Sequence, residues 1–417
     1  MTPAPAMPTP AVMPEHRLLS LADALAMYER VGALPAIELD LARTLGRVLA
    51  APCLAVVDLP PFTQSAMDGY AIRGGETVGA SAEHPVVMPV AGTVAAGEAT
   101  IPPMLPGTAF RIFTGAALPV GADAVVRQEI VERAGNDMLL REPAPPGNDV
   151  RYRGEELQRG DTVAGAGQRI NAGLLGALAM AGVHTVKVRP APRVTVLVTG
   201  DEVARETGDT TVGRIHDANG PLITAWLLER GYPAPVRVYV PDDPDAVRDA
   251  LEQALDGSDL VITTGGVSVG DRDYIPSTAQ SLDVERIFWK VAQKPGKPLW
   301  FGRRGSSWLM GMPGNPGAVL VCLAVHAAAV LARLEGEAAA TPAWRIGELA
   351  QGVESDSGRD RLLRMDIVAD DGRLRLVPLP RQESHMLSNL ARASALAWLP
   401  RRDEAYAAGE LLRYIAL

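Results

Sequence analysis

Three short apolar runs, Val194–Thr199, Val236–Val240 and Leu260–Thr264, each lead directly into a polar or glycine-rich segment. The first enters Gly200-Asp201-Glu202 and the second Pro241-Asp242-Asp243-Pro244. The third enters Gly265-Gly266-Val267-Ser268-Val269-Gly270-Asp271-Arg272-Asp273. Glycines let backbone amides approach an anion closely, and a helix N-terminus adds positive potential. Carboxylates gathered at one place repel each other unless a cation sits among them. A hard cation such as Mg²⁺, sharing its oxygen ligands with a phosphate, fits that arrangement. Blander roles compete: Asp242 or Asp243 taken singly suits a helix N-cap, and Glu202 a solvated loop. The Gly265–Asp273 segment is more specific, because two glycines, a serine and two carboxylates are compressed behind an apolar strand.

Further on, Phe288-Trp289-Lys290-Val291-Ala292-Gln293-Lys294-Pro295-Gly296-Lys297-Pro298 places Lys290, Lys294 and Lys297 in a turn-rich stretch. Lysines held in a constrained loop can form an oxyanion pocket. A solvated turn is the alternative, and the prolines and glycine that fix the loop favour the pocket. Met312-Pro313-Gly314-Asn315-Pro316-Gly317 then opens a long apolar segment. It suits a loop that presents backbone amides to an anion, or a plain turn, equally well. Asp68-Gly69 and Thr114-Gly115 stand out only weakly, since an Asp-Gly pair is usually a turn.

Elements that could position these residues follow from periodicity. Helices are expected at about 220–230, 244–255 and 316–334 between the apolar runs. Strand and helix in alternation predict a mainly parallel sheet covered by helices, with ligands beyond the C-terminal strand ends. Before it, residues 58–149 are rich in Pro and Gly, with short apolar runs at 86–90, 108–113 and 124–128, which predicts an inserted β domain. Ser20 is expected to cap one helix, a second is expected over Leu41–Ala50, and a third follows a cap at Asn171 and stops at Gly182. Short strands at 362–368, 373–378, 395–399 and 411–415 predict a compact C-terminal β domain. The expected division is a disordered leader over 1–14, a helical linker domain from 15–57 and 151–190, an inserted β domain over 58–150, the α/β domain over 191–337 and the β domain over 338–417.

Bulk properties set limits. Of 417 residues, 47% are hydrophobic and 5% aromatic, so large aliphatic cores are available. The formal charge, 40 − 49 = −9, makes nonspecific nucleic-acid binding unfavourable but leaves room for a local basic pocket. Cys53 and Cys322 are the only cysteines, without metal-type spacing, which favours two buried free thiols and a reducing cytoplasm. The apolar run Ala318–Ala332 is short for a span and holds His326, so a buried helix is expected and no membrane association. The first residues lack the pattern of a signal peptide.

Seven strings occur in order that together resemble the MoeA/gephyrin E-domain family of molybdopterin molybdenumtransferases. They are PPFTQSAMDGYAIR from Pro60, FTGAALPVGADAVVRQE from Phe113, RYRGEEL from Arg151, VTGDEV from Val198, TTGGVSVGDRDY from Thr263, FWKVAQKPGKP from Phe288 and MPGNP from Met312. The resemblance implies a four-domain homodimer whose central three-layer α/β domain is similar to the molybdopterin adenylyltransferase fold, with an inserted β domain and a C-terminal barrel-like β domain. It implies a cleft shared between the inserted β domain of one subunit and the α/β domain of its partner. The implied reaction takes adenylyl-molybdopterin and molybdate, with Mg²⁺, to molybdenum cofactor and AMP. Pathway partners would be a molybdopterin adenylyltransferase and apo-molybdoenzymes.

Carried over by position, the implied reactive residues are Asp68, Thr114, Glu202, Asp242, Asp273 and Lys290. Glu202, Asp242 and Asp273 would hold the metal. Gly265, Gly266, Ser268, Lys294, Lys297, Pro313, Asn315, Arg364 and Ser384 would hold the substrates. Three positions depart from the family pattern. Glu156 stands where Asp is common, Thr63 stands where an Asp would make a turn contact, and Glu383 brings a negative charge beside Ser384. Two other activities use similar parts: an adenylyltransferase, and a carrier that binds finished cofactor without inserting metal.

Overall fold

The computed structural model describes residues 18–204, 211–267, 270, 273–339, 342–370, 372–386 and 388–417. The expected leader over 1–14 and Ser268 lie outside the described residues. The chain forms two compact units, one containing residues up to Ile37, Gly46–Val48 and Arg189–Leu417, the other Glu38–Leu45 and Leu49–Val188.

The first unit is built on a six-stranded sheet. Its spatial order is Val236–Val240, Val194–Thr199, Leu260–Thr264, Ser307–Met312, Trp300–Arg304 and Glu285–Trp289. The first four run parallel, and the last two pairings are antiparallel. Trp289 therefore ends at the same edge as Thr199, Val240, Thr264 and Met312. Strands Val194–Thr199 and Leu260–Thr264 are buried throughout, as expected for central strands covered on both faces. Helices Asn219–Glu229 and Pro316–Cys322 contribute Ile223, Leu227, Val319 and Val321 to one covering core. Helices Pro244–Gly257 and Ile275–Ser281 supply Val247, Leu251, Ile275 and Ala279 to the other. The result is a three-layer α/β sandwich.

The long apolar segment is helical from Pro316 to Leu334, with a π-helical turn at Leu323–Ala327. Its bounds are those expected, and at 19 residues, counting both ends of the apolar run, it is long enough to cross a membrane. Its hydropathy has another cause, since 89% of its most apolar window is buried in this unit. Helix Leu21–Met27, capped by Ser20 as expected, also packs here rather than with residues 38–57. Tyr28, just beyond it, stands edge-on to Phe301 at 4.9 Å.

The C-terminal strands close a barrel-like sheet. Asp360–Asp370 pairs with both Arg373–Pro378 and Ala395–Leu399, and the ring runs on through Arg345–Leu349 and Leu411–Ala416. Gln293–Lys294 joins it in parallel with Asp360–Arg361, so the lysine segment is stitched to the barrel.

In the second unit a six-stranded sheet runs Ala124–Arg127, Gly69–Ile72, Ala109–Ile112, Val86–Val94, Asp137–Leu140, Val131–Ala134. Helix Ala172–Met180 begins on an Asn171 cap and ends before Gly182 at φ +77°, as expected. The helix expected over Leu41–Ala50 does not form. A single 3₁₀ turn, Leu41–Arg43, is followed by Gly46 at φ +77°, which no α-helix continues through. Cys53 and Cys322 are buried and free.

Candidate functional site

The loops that leave the four parallel strands fold in specific ways. Gly265 and Gly266 both have positive φ, +87° and +66°. A Cβ on Gly265 would lie 3.0 Å from Thr199 Oγ1, and one on Gly266 3.1 Å from Ile275, so only glycine lets this turn close on the sheet edge. The turn is also tied sideways, because the Trp289 indole N–H donates to the Val267 carbonyl at 3.0 Å. Lys290, at φ +71°, stands over the Trp289 ring with Nζ 4.2 Å from its centroid.

The structure separates the two aspartates whose roles the sequence left open. Asp243 caps the following helix through the N–H groups of Asp245 and Ala246. Asp242 instead exchanges bonds with Asp201: the Asp201 N–H donates to its carboxylate, and the Asp242 N–H donates to the Asp201 carboxylate. Asp201 is thus a member of this edge that the motif reading passed over in favour of Glu202. The Glu202 carboxylate packs where a Cβ on Gly200 would be, 2.7 Å away. Asp273 turns back on its own loop and accepts from Gly270 N–H at 2.7 Å. Among the described residues no three His, Cys, Asp or Glu side chains converge to hold a metal. The expected three-carboxylate set of Glu202, Asp242 and Asp273 is therefore not assembled; Asp242 and Asp273 each already serve a neighbouring amide.

Lysines 294 and 297 do converge. A cavity of about 430 Å³ is lined by Lys294, Lys297, Pro313, Asn315, Glu383 and Ser384, together with Arg359, Arg361 and Gln382. It lies between the lysine loop, the Met312–Gly317 turn and the barrel. The Lys294–Pro295 peptide is cis. Asn315 donates to Ser384 Oγ at 2.9 Å, and Gly317 N–H donates to the Ser384 carbonyl at 2.9 Å, which seats the serine loop on the turn. Asn219 donates to the Gly314 carbonyl at 2.7 Å and fixes the other side of that turn. Lys294 and Arg359 also act beside the cavity on Asp356. Burial works against its charge, but the amides of Gly358 and Arg359 and these two cations hold its carboxyl below the usual range.

Lys290 does not line this cavity. Arg364 does not line it either, which corrects the expected oxyanion contact. Its side chain is 2% exposed, and its guanidinium donates to the carbonyls of Arg381, Glu383 and Met386. Burial lowers its pKa, and the nearby Glu383 offsets part of that. Arg364 holds the loop that carries Ser384. Glu383 does lie at the cavity wall, as its position implied. Arg359 and Arg361 escaped the sequence reading because nothing local marks them. Only the pairing of Asp360–Arg361 with Gln293–Lys294 brings them to the lysines.

In the second unit Asp68 and Thr114 meet. Asp68 Oδ1 accepts from the Thr114 amide at 2.8 Å and from its hydroxyl at 2.7 Å. These two bonds, then the charge of Arg111, hold the exposed Asp68 carboxyl below its ordinary pKa. Gly69 next to it is obligatory, since a Cβ would overlap the Val126 carbonyl. Thr63 retains a turn contact in place of the expected loss, its hydroxyl accepting from Arg153 N–H at 3.3 Å. Glu156 is exposed.

The fold and cavity define a multidomain α/β protein with a cationic pocket where a parallel sheet edge meets a closed β-barrel. Comparison with known proteins gives this class its family. Residues 19–182 match the MoeA N-terminal region (domain I and II), 195–333 a probable molybdopterin binding domain, and 347–417 the MoeA C-terminal region (domain IV). A molybdopterin molybdenumtransferase of Staphylococcus epidermidis is 31% identical over 379 residues, 91% of this chain and 90% of that protein. One of Staphylococcus aureus is 30% identical over 383 residues, 92% of this chain and 91% of that protein. A crystal structure of the molybdopterin biosynthesis MoeA protein from Pyrococcus horikoshii superposes with a TM-score of 0.82 at 27% identity, covering 96% of this chain and 100% of that one. The chain belongs to the MoeA family of molybdopterin molybdenumtransferases.

Proposed function

We propose that this protein is a molybdenum insertase, converting adenylyl-molybdopterin and molybdate to molybdenum cofactor and AMP. The observation that carries the reading is the cavity in which Lys294, Lys297, Asn315 and Ser384 meet at the C-terminal edge of the sheet. Tetrahedral molybdate is an oxyanion that two lysines and two neutral polar side chains can hold by charge-assisted hydrogen bonds. Arg359 and Arg361 add positive potential at the wall, and Glu383 limits it. Gly265 and Gly266 open backbone space for the pterin phosphates, and Lys290, over the Trp289 ring that donates to the same turn, would oppose their charge. Asp68 and Thr114 are proposed for the same reaction, Asp68 as a carboxylate kept ionised by Thr114.

Mg²⁺ belongs to this proposal. The carboxylates do not form a cage, but Mg²⁺ commonly takes one or two carboxylates and completes its shell with phosphate oxygens and water. Asp242 and Asp273 would hold it, without Glu202, and the ion would neutralise charge on the phosphoanhydride. Asp273 is also proposed to position water. A homodimer and a cytoplasmic location are part of the same reading, as is the domain division given above, except that helix Leu21–Met27 goes with the α/β domain. So are transfer from a molybdopterin adenylyltransferase and delivery to apo-molybdoenzymes.

A direct test separates the enzymatic readings. Purified protein given ATP and molybdopterin should form no adenylylated product, whereas adenylyl-molybdopterin with molybdate and Mg²⁺ should yield AMP. Adenylylation from ATP would replace the insertase reading by the adenylyltransferase one.

A further inference from the structure

The polar residues at the centre of the first unit's largest apolar core form a line. Tyr28 and His326 are 1% and 0% exposed, and Gln293 is 0% exposed. Tyr28 Oη lies 2.8 Å from His326 Nδ1, and His326 Nε2 lies 2.8 Å from Gln293 Oε1. Gln293 Nε2 donates to the Gly296 carbonyl at 3.2 Å. The direction of every bond follows from the last one. A carbonyl only accepts, so Gln293 must present its amide N–H₂ to Gly296 and its oxygen to the imidazole. His326 must then carry its proton on Nε2, and Nδ1 accepts from the Tyr28 hydroxyl. Burial depresses the imidazole pKa to about 3, so this neutral tautomer persists at neutral pH.

Three features separate this line from ordinary satisfied core polarity. It ends on the loop whose lysines line the oxyanion cavity, between Lys294 and Lys297. The loop apex is seated on the line, since Gly296 has φ +95° and a Cβ there would lie 2.6 Å from Gln293 Nε2 and 3.2 Å from Cys322 Sγ. His326 itself stands in the π-helical turn Leu323–Ala327, a local irregularity that interrupts an otherwise regular helix. Burying three polar side chains in an aliphatic core costs free energy that apolar residues of similar volume would avoid.

We propose that Tyr28, His326 and Gln293 are positioning residues that fix the Lys294–Lys297 loop in its oxyanion-binding shape. The inference rests on the insertase reading for the identity of the oxyanion, and on the geometry alone for the positioning.

The test uses the full chain with Gln293→Met, which keeps volume and removes both bonds, and Tyr28→Phe, which removes only the far donor. Hydrogen–deuterium exchange is followed at residues 293–298 and at the barrel strand Arg373–Pro378, beside KM for molybdate and for adenylyl-molybdopterin. Gln293→Met should speed exchange in the loop and raise KM for molybdate about tenfold, the worth of one hydrogen bond. The barrel strand and the KM for the pterin substrate should hold, and Tyr28→Phe should act in the same direction but less. Loop exchange that is unchanged, or that rises equally in the barrel strand, overturns the proposal, as does a loosened loop with unchanged KM for molybdate. If the unsubstituted protein releases no AMP, the insertase reading falls, while the exchange measurement still decides the positioning.

Discussion

Replacing Gly317 by Ala pits helix propensity against packing, and the structure gives the winner. Gly317 lies in the first turn of the Pro316–Cys322 helix, where Ala is favoured over Gly by about 1 kcal/mol at most. A Cβ there would sit 2.4 Å from Arg364 Nη1 and 2.8 Å from the Ser384 carbonyl oxygen. Arg364 cannot swing away, since its guanidinium is buried and committed to three carbonyls. The Ser384 carbonyl is backbone and accepts the Gly317 N–H. Overpacking of this kind costs about 1–3 kcal/mol, and straining that hydrogen bond adds about 0.5–1.5 kcal/mol. After the propensity gain, the net is a destabilisation of about 1–3 kcal/mol. Thermal unfolding should then show the transition of this unit falling by roughly 2–4 °C per kcal/mol. Molybdate titration should weaken in parallel, because the displaced group is the serine loop. An unchanged or raised transition would refute the claim that Gly317, Arg364 and Ser384 form one packed contact.

Other expectations follow from individual contacts. Asp273→Asn should slow AMP release on the order of 10²–10³-fold, as for loss of one preorganised electrostatic group; turnover within a few-fold of the unsubstituted protein would remove Asp273 from the reaction. Thr114→Val deletes one of the two donors that hold the Asp68 carboxyl down, so its pKa in a carbon-detected NMR titration should move up towards the ordinary value; no movement would show that the contact does not form. His326 is held neutral by burial, with its pKa lowered to about 3. The unfolded chain takes up that proton near pH 6.5 and the folded chain does not. Its contribution to stability is therefore complete above about pH 6.5 and is lost as pH falls towards about 3. A folded-state imidazolium signal at pH 5 in nitrogen NMR would contradict this.

Much of the α/β frame could be read from the chain because its signals are local. Val236–Val240 and Leu260–Thr264 are β-branched runs that are strands from end to end. Arg373–Pro378 and Ala395–Leu399 likewise fall where short strands are expected. The helix expected over Leu41–Ala50 failed because apolar spacing was weighed without Gly46, whose left-handed backbone breaks it. Strands Glu285–Trp289, Trp300–Arg304 and Ser307–Met312 have weaker local signals, because they are separated by the lysine loop and a tight turn and are defined by the antiparallel pairings that extend the sheet. In the site, Lys294, Lys297, Pro313 and Asn315 lie in segments that local motifs mark, Ser384 follows from the family resemblance alone, and all five share one cavity. Arg359 and Arg361 join them only through a parallel pairing between distant segments, which leaves no local trace. The opposite error occurred at Arg364, where a charged residue at a family position proved to be buried and spent on backbone carbonyls.

The central claim is that the lysine-lined cavity receives molybdate for insertion into an adenylylated pterin. The most direct measurement incubates the purified protein with adenylyl-molybdopterin, Mg²⁺ and molybdate, and follows AMP release together with reconstitution of a molybdenum-free apo-enzyme. The account predicts AMP release that depends on molybdate and is matched by recovered activity of the apo-enzyme. Tight binding of the adenylylated pterin with neither AMP nor reconstitution would contradict it and leave a carrier in its place.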